Sequence, residues 1–409
     1  MTSRTSGAYK LRMGENSPDC GHSQFVLRTT DQHSLLGKWR AMGLISVSHD
    51  DCYLTLDWDE NRQTKHALIW MRDNDPSGFH PTTGERVLDL LSVPENPQLV
   101  AGAVEANELN LTWSDGHTSR FTEADLVTRI SAPAGSRTDT PVRAESWDGS
   151  FANQIPRHSA DSILKDDKGL LSWLEDLTKW GLTIVEEVAC ETGAMESVCR
   201  RVAHLRETNF GLTFDVRSIP KPNNQAYTAD ALPLHTDLTN QETPPGFQFL
   251  HTLQNDAQGG ESLFADGIRM AEDLRKADPE AYRMLTEISI PCRFHDDSFD
   301  IRYRRPIIRE DRNGQPVEVN YNAHLADYLD LEPEETIAFY HAYRAFMRLT
   351  RDAHYRIEMK SRSGDMVAFN NRRTLHGRNA FDPNPGARPL RGCYLDWTDV
   401  MSRIRVLQR

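Results

Sequence analysis

From residue 35 onward the apolar positions first come in short runs broken by Asp, Asn and Gly, without helical spacing. Leu44–Val47, His66–Arg72 and Leu109–Trp113 read as strands. The last turns through Trp113-Ser-Asp-Gly116 into Ser119–Phe121, and the pattern predicts a small β-rich unit over 34–130. The preceding residues 1–33 are polar and aperiodic, which predicts an unstructured N-terminal segment. Residues 131–146, SAPAGSRTDTPVRAES, are rich in Pro, Ser, Thr and Gly and nearly free of large apolar side chains, so they read as a linker.

The remainder, 147–409, mixes both periods. Leu170, Leu171, Leu174 and Leu177 predict a helix over Ile163–Trp180 that Gly181 ends, followed by a buried strand at Leu182–Val185. Ala271–Ala281 and Pro333–His354 read as helices; the second opens on Glu334-Glu335 and carries Ile337, Phe339, Tyr340, Tyr343, Phe346 and Met347 along a wide apolar face. Phe247–Leu250, Ile288–Pro291, Val317–Tyr321, Asp365–Phe369 and Gly392–Asp396 read as short strands. Their number favours a mainly β fold with flanking helices, a barrel-like sandwich.

Composition narrows the class. A chain of 409 residues exceeds the roughly 250–300 residues at which single cores stop growing, which fits two units. Acidic residues outnumber basic ones 60 to 47, and no basic stripe offers a surface for nucleic acid. No apolar run approaches a membrane span, and the six cysteines (20, 52, 190, 199, 292 and 393) form no CxxC pair. These features predict a soluble cytoplasmic protein with reduced thiols, the basic start MTSRTSGAYKLR leaving an organelle transit peptide as the alternative.

Candidate chemistry centres on Leu232-Pro-Leu-His-Thr-Asp237. At a strand end, His-x-Asp puts an imidazole and a carboxylate on one side of the chain, within reach of one ion. Alone, the Asp could equally cap a turn. A second His stands at 376 after an apolar strand, and Arg388 follows twelve residues later. Two imidazoles and one carboxylate leave half of an octahedron open, which suits non-haem Fe(II) oxygen chemistry and not closed structural zinc. An Arg at that spacing could clamp a dicarboxylate whose keto-acid end chelates the iron, as 2-oxoglutarate does.

With these residues the chain resembles the γ-butyrobetaine and trimethyllysine dioxygenases among the 2-oxoglutarate-dependent oxygenases. The resemblance spans about 65–405 and rests on WMRDN (Trp70–Asn74), TWSDGH (Thr112–His117), LPLHTD (Leu232–Asp237), PPG (Pro244–Gly246), GGES (Gly259–Ser262), FNNRRTLHGR (Phe369–Arg378) and YLDWTDVMSRIRVL (Tyr394–Leu407). It implies a double-stranded β-helix (jelly-roll) domain with His235, Asp237 and His376 on Fe(II). Arg388 and the Ser262 hydroxyl would hold 2-oxoglutarate. The implied reaction consumes O2, yields succinate and hydroxylates a nearby C–H; a homodimer is also implied.

The resemblance further places Phe210, Phe214, Tyr227 and Tyr394 in an aromatic cage for a quaternary ammonium, which has no N–H to donate and must be held by ring faces. Asn224 and Asn322 match positions that hold the substrate carboxylate. Leu238 stands where a Tyr supplies a further contact in the animal butyrobetaine enzymes. Arg391, three residues before Tyr394, should face away from the pocket. In the small unit the zinc-binding cysteines of the family are missing, so zinc is not expected, although Asp75, His80 and His117 could form a weak N/O site. The expected activity is hydroxylation of γ-butyrobetaine to carnitine. The alternatives are the same chemistry on a trimethylammonium phosphonate, on trimethyllysine or on a secondary-metabolite intermediate, and, from another class, a ligand-binding protein without catalysis.

Overall fold

A computed structural model describes residues 43–130, 140–216, 225, 228–382 and 388–409. The N-terminal segment 1–33 and most of the stretch read as a linker lie outside the described residues. The chain divides into two compact units, 1–138 and 139–409.

The smaller unit holds two antiparallel three-stranded sheets. One is β1 (Leu44–His49), β2 (Tyr53–Trp58) and β3 (Arg62–Ala67); the other is β4 (Leu99–Glu105), β5 (Glu108–Trp113) and β6 (Thr118–Phe121). Strict alternation drives them: Leu54, Leu56 and Trp58 on β2 and Leu109, Leu111 and Trp113 on β5 point to one core. The strand expected over His66–Arg72 is corrected, because β3 ends at Ala67 and a short helix, α1 (Leu68–Asp73), follows. Leu68 and Met71, three apart, share the buried side of that helix.

In the same unit Asp75 is almost fully buried. Its carboxylate accepts from Ser77 N and Oγ (both 2.8 Å), from the Ser119 hydroxyl and from His117 Nε2 (2.7 Å). Burial would raise its pKa, but these bonds outweigh it and hold the group below the ordinary carboxylate range. His80 instead serves its own turn, its Nδ1 accepting from Thr82 N and Thr83 N.

The larger unit is a double-stranded β-helix. Its wider sheet runs β7 (Arg157–Ser159), β8 (Leu182–Glu186), β16 (Met366–Asn370), β11 (Phe247–Thr252), β18 (Leu390–Leu395) and β9 (Phe214–Val216). The narrower one runs β10 (Leu232–His235), β17 (Thr374–Arg378), β12 (Ser262–Asp266) and β15 (Ile357–Met359). A hairpin, β13 (Ile290–His295) with β14 (Asp300–Arg305), is added.

Each sheet presents one face to helices and the other to the interior. Phe247, Phe249, Cys393 and Leu395 meet a core with α2 (Asp167–Trp180) and α6 (Trp397–Leu407). The narrower sheet packs on α3 (Gly267–Ala277), α4 (Pro279–Glu287) and α5 (Pro333–Arg351). Between the sheets Trp147, Phe151, Leu182, Ile184, Phe264, Val367 and Phe369 form a further apolar cluster.

Helix boundaries follow local chemistry. The helix expected over Ile163–Trp180 breaks at Asp166, which is extended and caps α2 by accepting from Lys168 N. Gly181 ends α2 in the left-handed region at φ +70°, its N–H reaching Leu177 O. The helix expected over Ala271–Ala281 is two, parted at Asp278, whose side chain caps α4 ahead of Pro279. The strand expected from Ile288 begins at Ile290, because α4 runs to Glu287. Among the described residues no helix is long and apolar enough to cross a membrane.

Arg373 and Asp266 fix the end of the barrel. They form a bidentate buried pair (3.0 and 2.8 Å); Arg373 also donates to the carbonyls of Lys179 and Glu145, and Asp266 accepts from Trp147 N and caps α3. This network anchors the start of β17, the strand that carries His376.

Candidate metal centre and cavity

The strand register brings the distant residues together. In the antiparallel pair β10–β17, His235 lies directly opposite His376, so the two imidazoles project from the same face with ring centroids 4.3 Å apart. Asp237 follows just past the end of β10. Its Oδ1 lies 3.2 Å from His235 Nε2 and 3.9 Å from His376 Nε2, and one donor atom from each of the three residues falls within 4.8 Å of the others. Among the described residues this is the one such group of three.

The surroundings orient His235 and Asp237. His235 Nδ1 lies 2.8 Å from the Pro233 carbonyl, which can only accept, so the imidazole carries its proton there and Nε2 keeps its lone pair. Asp237 Oδ2 accepts from the Tyr394 hydroxyl at 2.8 Å, leaving Oδ1 toward the imidazoles. Asn371, fully buried, grips the Asp237 backbone at both ends: its Oδ1 accepts from Asp237 N (2.8 Å) and its Nδ2 donates to Asp237 O (3.0 Å). Such supports hold a ligand's geometry.

Protonation favours a cation. Burial and the neighbouring His235 push the His376 imidazole down to about 3, against the pull of Asp237, so it is neutral near pH 7. Burial would raise the Asp237 carboxyl, yet its interactions with the adjacent His376 and His235 rings and the hydrogen bond from Tyr394 hold it far below the usual range. A neutral His376 imidazole, the His235 Nε2 and the Asp237 carboxylate fit an open-sided Fe(II) site; His235 and Asp237 are held from behind, while His376 Nδ1 is buried without a partner.

The triad opens onto a cavity of about 480 Å³ between the sheets. Arg388 reaches it with 8% of its surface exposed. Its Nη2 lies 3.5 Å from Ser262 Oγ, its Nε has no partner, and no carboxylate among the described residues pairs with it. Burial and the nearby Arg378 lower it to about 10, a small Glu261 contribution opposing them. A buried guanidinium without an anion is costly unless a ligand supplies one, and the second carboxylate of 2-oxoglutarate is such an anion.

Of the expected cage, Phe210, Phe214 and Tyr394 line this cavity. Phe214 stacks at a tilt on Tyr394 (5.1 Å between centroids), and Phe210 meets Phe294 edge-on at 5.4 Å. Tyr394 is therefore both a wall and the donor to Asp237. Tyr227 and Asn224 lie outside the described residues. Asn322 lines the cavity, but its amide donates to Thr236 O (3.0 Å) and its oxygen accepts from His324 N and Leu325 N. Leu238 lines the wall at φ +58°, a conformation uncommon for a bulky residue. Arg391 bonds Glu196, Asp215 and Thr213. Sequence reasoning missed Arg293, Phe294, His295 and His324, which also line the cavity; no motif marks the hairpin and loop that carry them.

Gly392 sets the shape of the cage. It sits opposite Phe214 across β9–β18, and a Cβ there would fall 2.4 Å from the Phe214 ring. Gly392→Ala should push that ring off Tyr394, raising KM for the small-molecule substrate about tenfold while KM for 2-oxoglutarate stays within twofold. Steady-state kinetics with each substrate varied in turn will show it, and equal changes in both constants would refute the role.

Known proteins are similar to this chain in sequence. A profile described as taurine catabolism dioxygenase TauD, TfdA family matches residues 148–394, and one described as gamma-butyrobetaine hydroxylase-like, N-terminal, matches 45–126. The chain is similar to gamma-butyrobetaine dioxygenase of Pseudomonas sp. (strain AK-1), 36% identical over 87% of this chain and 94% of the relative. It is also similar to dioxygenase str8 of Strobilurus tenacellus (30%, covering 85% and 86%) and to mitochondrial trimethyllysine dioxygenase of Gallus gallus (26%, covering 95% and 94%).

Proposed function

The chain belongs to the TauD, TfdA dioxygenase family and uses Fe(II) and 2-oxoglutarate, and we propose that it hydroxylates a small trimethylammonium zwitterion, γ-butyrobetaine to carnitine before other candidates. In this reading His235, Asp237 and His376 hold the iron, and Arg388 with Ser262 holds the far carboxylate of 2-oxoglutarate. Bound there, the metal and cosubstrate supply the oxidation: 2-oxoglutarate, O2 and a substrate C–H become succinate, CO2 and the alcohol.

The observation that carries the substrate reading is the cavity wall. Phe210, Phe214, Phe294 and Tyr394 line it, and Asp237 is the one carboxylate among its described lining residues. A primary ammonium would bring three N–H donors into a wall that offers no free carboxylate, whereas a trimethylammonium brings none and gains from ring faces. Trimethyllysine carries such an α-ammonium and γ-butyrobetaine does not, which supports the shorter substrate, in keeping with the similarity to the Pseudomonas protein. The protein's share of the work is placement: the rings fix the cation, and Tyr394 ties that wall to the Asp237 carboxylate, so substrate position and ligand geometry are coupled. A cytoplasmic setting is proposed with it, supported by the five described cysteines being free thiols.

The test is a panel of γ-butyrobetaine, its phosphonate analogue, trimethyllysine and γ-aminobutyrate with Fe(II), 2-oxoglutarate and O2, read by mass spectrometry for one added oxygen and by succinate release. γ-Butyrobetaine should give the highest kcat/KM, about a hundredfold above γ-aminobutyrate. Preferred turnover of trimethyllysine or of the primary amine would overturn the reading.

A further inference from the structure

If the rings take the cation, the anionic end of the substrate needs a partner, and the cavity offers few. Leu238 has no polar group. Arg388 faces the cosubstrate position beside Ser262. Arg378 donates to the carbonyls of Thr228 and Asp230. Arg293 is engaged by Asp300 through two bonds of 2.8 and 3.1 Å, which offset its charge. Asn322, the residue expected to meet the carboxylate, has its oxygen committed to two backbone N–H groups and one amide hydrogen committed to Thr236 O.

Two histidines, His295 and His324, also line the cavity, and His324 is the one whose ring lies against the triad. Its imidazole lines the cavity edge-on to His235, with centroids 6.3 Å apart; the residue is exposed at the cavity mouth, and among the described residues neither ring nitrogen has a protein partner. Its backbone is not loose. The Asn322 oxygen receives the N–H of His324 at 3.0 Å, while the Asn322 amide holds the carbonyl of Thr236, the residue between two triad members. Asn322 thus ties the loop backbone bearing His324 to the segment bearing His235 and Asp237, which keeps that loop beside the triad.

We infer that His324 is a specificity-determining residue whose ring N–H donates to the carboxylate of the zwitterionic substrate, with Asn322 positioning its loop. The inference rests on the betaine reading above. A donor to a charged acceptor in a partly enclosed site is stronger than one between neutral groups, so its loss should be felt in substrate binding before chemistry.

The experiment compares the wild-type holoenzyme with His324→Leu, His324→Ala and His324→Gln. The substrates are γ-butyrobetaine and 4-trimethylammonio-butan-1-ol, which keeps the cation and replaces the carboxylate with an alcohol. The expected result is a rise in KM for the betaine of about tenfold or more in the Leu and Ala variants, with Gln largely restoring it. KM for the alcohol and for 2-oxoglutarate should stay within twofold. The absorption of the Fe(II)–2-oxoglutarate complex should be retained, and whichever of the two truncations retains it decides the matter. A betaine KM unchanged on truncation, or equal losses on betaine and alcohol, overturns the role of His324 and leaves the betaine reading standing. Wild-type enzyme that oxidises neither compound overturns the betaine reading itself, before any variant is compared.

Discussion

Asp237→Ala should abolish turnover. Asp237 is the acidic member of the triad, and its Oδ1 lies toward both imidazoles while Oδ2 is held by Tyr394. Removing it leaves two nitrogen donors and no negative charge to offset a divalent ion. Changes to residues that merely support a ligand typically cost about 10–100-fold in metal affinity or activity, so losing the ligand itself should exceed a thousandfold. Anaerobic titration with Fe(II) and 2-oxoglutarate should give the visible absorption of the ternary complex in wild type and none in the variant. Tyr394→Phe separates the two duties of that ring: the cage wall stays and the hydrogen bond goes, so activity should fall about 10–100-fold with a larger loss in Fe(II) affinity than in substrate KM. A variant lacking Asp237 that retains even a tenth of wild-type turnover would remove the triad from the mechanism.

Legibility in the sequence followed how polar a strand's inner face had to be. β11 and β16 announced themselves because apolar residues occupy both faces, as Phe247 to Leu250 and Met366 to Phe369 show. β17 escaped notice. Its alternate positions are Thr374, which bonds the Gly181 carbonyl, and His376 and Arg378, which line the cavity, all polar, and its Gly377 reads as a breaker, so neither alternation nor propensity marks Thr-Leu-His-Gly-Arg as a strand. The same cause hid the cavity wall. His324 lies on a loop whose local pattern is polar and turn-like, and His295 ends a strand of which the pattern marked only the start, so only the fold brings them to the cavity. In contrast, His-x-Asp was legible because two members of the triad are joined by a single residue of chain at the end of β10, which keeps them close whatever the rest of the fold does. The resemblance to butyrobetaine enzymes singled out Asn322 as a ligand contact. What sequence could not reveal is that this amide is engaged with backbone on both sides, since those partners lie up to 86 residues away.

The other large effect is expected at Arg388, and it should run in opposite directions for stability and for function. A guanidinium 8% exposed, with Nε unpartnered, one hydroxyl at 3.5 Å and another cation nearby, is electrostatically unfavourable in the ligand-free protein. Arg388→Met removes that cost while filling similar volume, so the melting temperature without ligand should equal or exceed that of wild type. Binding should collapse: truncating one partner of a buried charge pair costs about 2–5 kcal/mol, which places KM for 2-oxoglutarate roughly 30- to several-thousand-fold higher. Thermal shift reads both halves, because a ligand that binds only the folded state raises its melting temperature by mass action. With Mn(II) in place of Fe(II) to prevent turnover, 2-oxoglutarate should stabilise wild type strongly and Arg388→Met scarcely at all. Arg388→Lys should recover little of the affinity, since a point charge does not reproduce the two-pronged grip on a carboxylate. A methionine variant that binds 2-oxoglutarate within threefold of wild type, or that melts several degrees lower without ligand, would show that this arginine is held for the fold and not for an anion.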